Sequence, residues 1–141
     1  MLVRLMYASR AAESVNAETL STILRVSVAG NPGIGVTGVL CHANGVFLQV
    51  LEGGRAQVNT LYNRITRDPR HHAVELLTYT EIAERRFAGW AMGQVKLSRL
   101  NPALLLKYSE TATLDPFVVS GSVSMALFDE LVATASVNCL G

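Results

Sequence analysis

Gln49 is the polar residue most out of place in this sequence. It stands between Leu48 and Val50 in an apolar run, and in an extended strand it shares a face with Phe47 and Leu51. An amide carries both an acceptor and a donor, and leaving such a group unpaired in an apolar setting costs about 1–3 kcal/mol. Protein groups or a bound ligand must therefore satisfy both of its ends. If the first strand of the chain lies beside the strand of Gln49, Tyr7 can approach it, and Asn31 can reach the same region from the end of a helix. Three polar groups converging in an apolar wall suit a flat heteroaromatic ligand with alternating donors and acceptors. A core tyrosine and a strand amide serving a loop would use the same residues without a ligand, and residue chemistry leaves both readings open.

Other chemical signals are weaker. Gly33, Gly35 and Gly38 have the spacing of a dinucleotide-binding loop, but that loop must leave a strand and open a helix so that its amides face a pyrophosphate. This segment does the reverse, and the match is accidental. Arg64, Arg67, Arg70, His71 and His72 cluster near the end of a second helix, which suits phosphate contact and equally a solvated helix end that complements the helix dipole. Trp90 is the sole tryptophan, and Met92 follows two positions on, hence on the same face of a strand, where core packing is the plain expectation. The three histidines lack metal-ligand spacing, Cys41 and Cys139 form no Cys/His set, and no nucleophile–histidine arrangement occurs. Enzymatic chemistry has no clear foothold.

The elements that must position these residues follow from periodicity. Residues 2–8 alternate as a strand; Asn16 caps a helix over 17–29 whose stripe is Leu20, Ile23, Leu24 and Val28, and Gly30 and Pro32 end it. Runs at 36–42 and 46–51 are joined by Ala43-Asn44-Gly45, a hairpin signal. Val58, Leu61, Tyr62 and Ile65 mark a second helix that Asp68-Pro69 closes, and 74–82 and 90–97 read as two further strands. The order β-α-β-β-α-β-β resembles a ferredoxin-like sandwich: an α+β fold with a five-stranded mixed sheet and two helices on one face. Asn101-Pro102 predicts a short helix over 103–107, and Val123, Leu127, Leu131 and Ala135 a longer one over 123–135, whose apolar stripe would cover the sheet face left bare.

Composition narrows the classes. The 141 residues are 50% hydrophobic and 16% charged, which suits one ordered globular unit with no need of a disulfide or metal staple. A net charge of +1 argues against nucleic acid. Residues 26–51 carry no charge, yet Asn31, Pro32, His42, Asn44 and Gln49 interrupt them too often for a membrane helix. No export signal precedes them, and a reducing, cytoplasmic setting is expected.

Five motifs in order then resemble those of the BLUF family, blue-light sensors that use flavin adenine dinucleotide (FAD). They are RLMYASR at 4–10, NPGIGVTG at 31–38, NGVFLQVLEG at 44–53, DPRHH at 68–72 and RRFAGWAMG at 85–93, and LLLKYS at 104–109 resembles the tail of short stand-alone members. The resemblance implies a flavin-binding sensor over 1–97 and a helical extension over 98–141 packed on the sheet. It implies that Tyr7 and Gln49 are the photoactive pair and that Asn31 anchors the ring's polar edge. Ile23, Ser27, Leu40 and Phe47 would line the ring, Arg64, Arg70 and His71 would complete the cofactor site, and Trp90 and Met92 would transmit the signal. Gly30 departs from relatives that carry His or Asn there, which implies a more open edge. The implied mechanism has Tyr7 give an electron and a proton under blue light while Gln49 rearranges by rotation or tautomerisation, with nothing turned over. Some forty residues follow the sensor, so the output is expected through a downstream, response-regulator-like protein, from a homo-oligomer. Two rivals are an acylphosphatase-type hydrolase, built on Arg10 and Asn31, and a cofactor-free protein-interaction module.

Overall fold

The computed structural model describes residues 1–95, 101–133 and 137–139. Its sheet holds six strands: β1 (Leu2–Ala11), β2 (Thr37–Ala43), β3 (Val46–Gly54), β4 (His71–Ile82), β5 (Gly93–Val95) and β6 (Val137–Cys139), in the order β4-β1-β3-β2-β5-β6. All neighbours are antiparallel except β2 and β5. The β2–β3 hairpin turns on Asn44 and Gly45, with φ of 52° and 72°, the paired left-handed conformation that matches strand twist. Beside it, Gly38 is needed for close approach: a Cβ there would sit 2.1 Å from the Val50 carbonyl oxygen.

Strand alternation divides the core. Val3, Leu5, Tyr7, Leu40, Phe47 and Leu51 face α1 (Ala17–Gly30) and α2 (Arg55–Thr66), which contribute Leu24 and Val58. Met6, Ala8, Val39, Cys41, Leu48 and Val50 face the other way, against Leu105 of α3 (Pro102–Tyr108) and Leu127, Phe128 and Leu131 of α4 (Gly121–Ala133). The C-terminal helices thus cover the face that α1 and α2 leave bare, and the α+β ferredoxin-like architecture stands as expected. Asn16 caps α1 by accepting from the Thr19 backbone at 2.9 Å, and Asn31–Ile34 follow as a 3₁₀ turn closed by Gly35 at φ 69°.

Several boundaries differ from expectation. β6 is a sixth strand that three short residues gave no periodicity to announce. β4 begins at His71, because Ala11 and Arg10 of β1 pair with His71 and His72, so these histidines belong to a strand rather than to a helix end. The strand expected over 90–97 is only Gly93–Val95; Trp90 precedes it in a turn, and residues 96–97 lie outside the described ones. The end of the helix expected over 123–135 likewise falls outside, at 134–135.

Candidate functional site

β1 and β3 pair in a register that sets Tyr7 directly opposite Gln49, on the face covered by α1 and α2. Both are buried, at 4% and 5% exposure, and the Tyr7 hydroxyl donates to Gln49 Oε1 at 2.5 Å. The other end of the amide is poorly served: Nε2 donates to the Met92 thioether at 3.5 Å, a weak acceptor. Burial pushes the pKa of Tyr7 well above the ordinary phenol range, with Tyr62 and then Asp68 adding to it, so the phenol stays protonated and can only donate to the amide oxygen.

This pair forms one wall of a cavity of about 260 Å³ between the sheet and the two helices. Ile23 and Ser27 enter it from α1, Asn31 from the 3₁₀ turn, Leu40 from β2, Phe47 and Gln49 from β3, and Arg64 from α2; Arg70 lies just before β4 and His71 at its start. All ten residues that the sequence nominated for a cofactor therefore line one space, together with Met92, Leu51, Ile65 and Asp68. Val26, Gly30 and Ile34 stand at its mouth, with Val26 64% exposed. A Cβ on Gly30 would meet nothing within 4 Å, so this rim is open.

The polar groups are held by distinct partners. Asn31 donates Nδ2 to the Ala91 carbonyl at 2.9 Å, and its Oδ1 has no protein partner among the described residues. His71 bridges Ser9 Oγ, 2.7 Å from Nδ1, and the Ile65 carbonyl, 2.5 Å from Nε2. A carbonyl only accepts, so Nε2 is the nitrogen that donates to Ile65. Arg70 pairs with Asp68 and holds that carboxyl below the usual range, chiefly through the side-chain hydrogen bond. Ser27 bonds its hydroxyl back to the Ile23 carbonyl at 2.9 Å.

Trp90 is not with the others. The turn in which the Trp90 N–H donates to the Phe87 carbonyl rotates the chain before β5 begins, so Trp90 and Met92 point to opposite faces rather than the same one. Trp90 stacks on Phe87, centroids 6.0 Å apart, in the core shared with the C-terminal helices, whereas Met92 is 1% exposed and lies beside Gln49. Arg10 and Asn31, which a phosphate-cradling hydrolase would need side by side, are apart: the Arg10 guanidinium lies 4.4 Å from the ring centroid of Phe117, which packs on the core of the other face. Among the described residues no group of His, Cys, Asp or Glu is placed to hold a metal, and no helix is long and apolar enough to cross a membrane.

Sequence reasoning missed Tyr62, whose ring centroid is 5.7 Å from that of Tyr7, and the pair Arg4–Glu52 on the far face. The signal for the pair was present: Arg4 and Glu52 are charges of opposite sign within the mainly apolar runs of β1 and β3.

Comparison with known proteins gives a consistent result. A family model described as sensors of blue light using FAD, BLUF, matches residues 2–93. The photoactivated adenylate cyclase subunit beta of Euglena gracilis is 39% identical over 84 residues, which cover 60% of this chain and 10% of that protein. The chain thus spans about a tenth of the length of this curated relative. Among solved structures, the photo-activated state of BlsA superposes with a TM-score of 0.85 at 31% identity, covering 94% of this chain and 95% of that one. BlrB, a BLUF protein in its dark state, superposes with a TM-score of 0.80 at 29% identity, covering 95% and 96%.

Proposed function

We propose, from the fact that this chain belongs to the BLUF family of flavin-using blue-light sensors, that it is a photoreceptor for blue light that binds FAD and signals through the Tyr7–Gln49 pair. The observation that carries the reading is the 2.5 Å bond from Tyr7 to Gln49 Oε1 in the wall of a cavity whose other amide donor meets only a thioether. Gln49 Nε2, held only by sulfur, and the Asn31 Oδ1, without a protein partner among the described residues, belong to side chains that line the cavity, and a ring with carbonyl and imide groups at one edge offers both a partner. A cavity of about 260 Å³ takes such a ring but not a whole dinucleotide, so Arg64, exposed on α2 and lining the same space, would meet the phosphate-bearing tail.

The bound flavin supplies absorption of blue light and an acceptor for one electron. What the chain supplies is a responsive hydrogen bond. Tyr7 holds its proton against Gln49 Oε1, and loss of an electron from the phenol makes that proton far more acidic, so it passes toward the amide oxygen. The electron and the proton would then return to Tyr7, and while that bond is broken the amide is held at its other end by sulfur alone. Rotation about its last torsion exchanges Oε1 and Nε2, at a cost of about one ordinary hydrogen bond, roughly 1 kcal/mol. Phe47, Leu40 and Ile23 keep water from the amide and make its two orientations distinct.

In this reading nothing is turned over, and Met92 and the turn carrying Trp90 report the amide's orientation to the C-terminal helices and from them to a downstream protein, response-regulator-like in kind, in the cytoplasm and from a homo-oligomer. Titration with FAD in darkness, followed by quenching of flavin fluorescence, tests the cofactor. One site per chain is expected, weakened about tenfold in Asn31→Ala, the value of one lost ligand hydrogen bond. No saturable binding would overturn the proposal.

A further inference from the structure

Glu52 is fully buried at the end of β3, on the sheet face opposite the cavity. Its register partner is Arg4, whose Nε and Nη2 donate to Oε2 at 2.9 and 2.7 Å. The remaining acceptor capacity is turned on the crossover between β4 and β5: Phe87 N–H donates to Oε1 at 2.7 Å, and Arg86 N–H reaches both oxygens at 3.1 Å. Beyond this point the chain is tied in quick succession. Trp90 stacks on Phe87, the Trp90 carbonyl accepts from Gly38, the Ala91 carbonyl accepts from Asn31, and Met92 reaches Gln49.

Resting on the photosensor reading of the cavity, we infer that Glu52 is a positioning residue: its carboxylate clamps the backbone at Arg86 and Phe87, and so decides that Met92 rather than Trp90 stands beside Gln49. The clamp needs a carboxylate. Arg4 on one side and the two main-chain amides on the other are all donors, so both oxygens must accept. A neutral amide has one acceptor and must turn its NH2 group on one of the two sides. With the crossover fixed at Phe87, the turn before β5 places Trp90 in the far core and leaves Met92 to face the cavity. The Arg86 side chain, meanwhile, pairs with Asp129 of α4 at 2.7 Å, so movement of the same segment is felt by the C-terminal helices.

The sole tryptophan makes the test direct. In Glu52→Gln, acrylamide quenching of Trp90 emission should rise about fivefold over the wild type, the opening that one lost hydrogen bond permits, with and without FAD. In the FAD-loaded chain the dark recovery of the light-induced absorption change should shift by a similar factor. Arg86→Ala, which keeps the main-chain amide and loses only the Asp129 pair, should quench as the wild type does. In the double variant Arg4→Met/Glu52→Gln the amide oxygen no longer has a guanidinium to satisfy, is free to accept from Phe87, and should restore the protection of Trp90. This variant also decides the matter if Glu52→Gln alone does not fold. Wild-type quenching and recovery in a folded Glu52→Gln, or a double variant that leaves Trp90 as open as the single one, would overturn the assignment. Quenching without flavin judges the clamp alone, so failure of the photosensor reading would show separately, as FAD-loaded protein without a light response.

Discussion

Removing the Tyr7 hydroxyl or the Gln49 amide breaks one bond, but the two deletions should not cost the sum of their separate effects. In Tyr7→Phe, Gln49 Oε1 loses the donor at 2.5 Å; in Gln49→Leu, the Tyr7 hydroxyl loses its acceptor. Each orphan sits in a residue no more than 5% exposed, where an unmatched polar atom costs about 1–3 kcal/mol. The cavity beside them admits water when empty, which sets the expectation near the lower end, about 1–2 kcal/mol for each variant. In the double variant both members are apolar and neither orphan exists, and the bond from Nε2 to the Met92 sulfur, at 3.5 Å, adds little. The double variant should therefore be more stable than the sum of the single losses by about 2–4 kcal/mol, the two orphan costs it avoids. Urea unfolding of the flavin-free chains, followed by Trp90 emission and far-ultraviolet dichroism, measures this without any contribution from ligand affinity. Additivity within about 0.5 kcal/mol would mean that the two groups are not bonded and would refute the geometry from which the switch is derived.

Two further outcomes follow from the same structure. Ser124 is 1% exposed in α4 and its hydroxyl has no hydrogen-bond partner among the described residues, so Ser124→Ala removes a desolvated orphan and adds helix propensity; stability should rise by about 1 kcal/mol, seen as a higher Tm, and a lower Tm would contradict it. Burial lowers the pKa of His42 from 6.5, so below that pH the unfolded chain binds a proton that the folded chain refuses. The part of the stability that depends on neutral His42 should thus be complete above pH 6.5 and decline as pH falls toward its folded value. His42→Gln should flatten that decline in unfolding measurements made across the interval, and an unchanged slope would assign it to other groups.

Much of the site was legible because strands have a strict period of two. Once residues 2–8 and 46–51 were read as neighbouring strands, Tyr7 and Gln49 could be placed together, and the register Tyr7↔Gln49 fulfils that expectation. Asn31 was legible for the opposite reason, being a polar side chain where a helix had to stop, and the 3₁₀ turn at Asn31–Ile34 delivers it to the cavity. Periodicity failed where the chain is not periodic. It extended a strand back to Trp90, although the turn between Phe87 and Trp90 breaks the alternation and sends Trp90 and Met92 to different cores. It also gave no hint of β6, whose three residues pair with β5. Glu52 was passed over as the end of a motif, since its purpose depends on Arg4 and on main-chain amides that lie more than thirty residues away in sequence.

The most direct test is the visible absorption spectrum of the FAD-loaded chain, recorded in darkness, after blue illumination and during return to darkness, for the wild type and for Gln49→Leu. A rearranged hydrogen bond at the ring edge should move the wild-type flavin band slightly to the red and let it return, while Gln49→Leu keeps the band and loses the shift. A wild-type band that does not move, or a shift that survives intact in Gln49→Leu, would contradict the assignment of the switch to this amide.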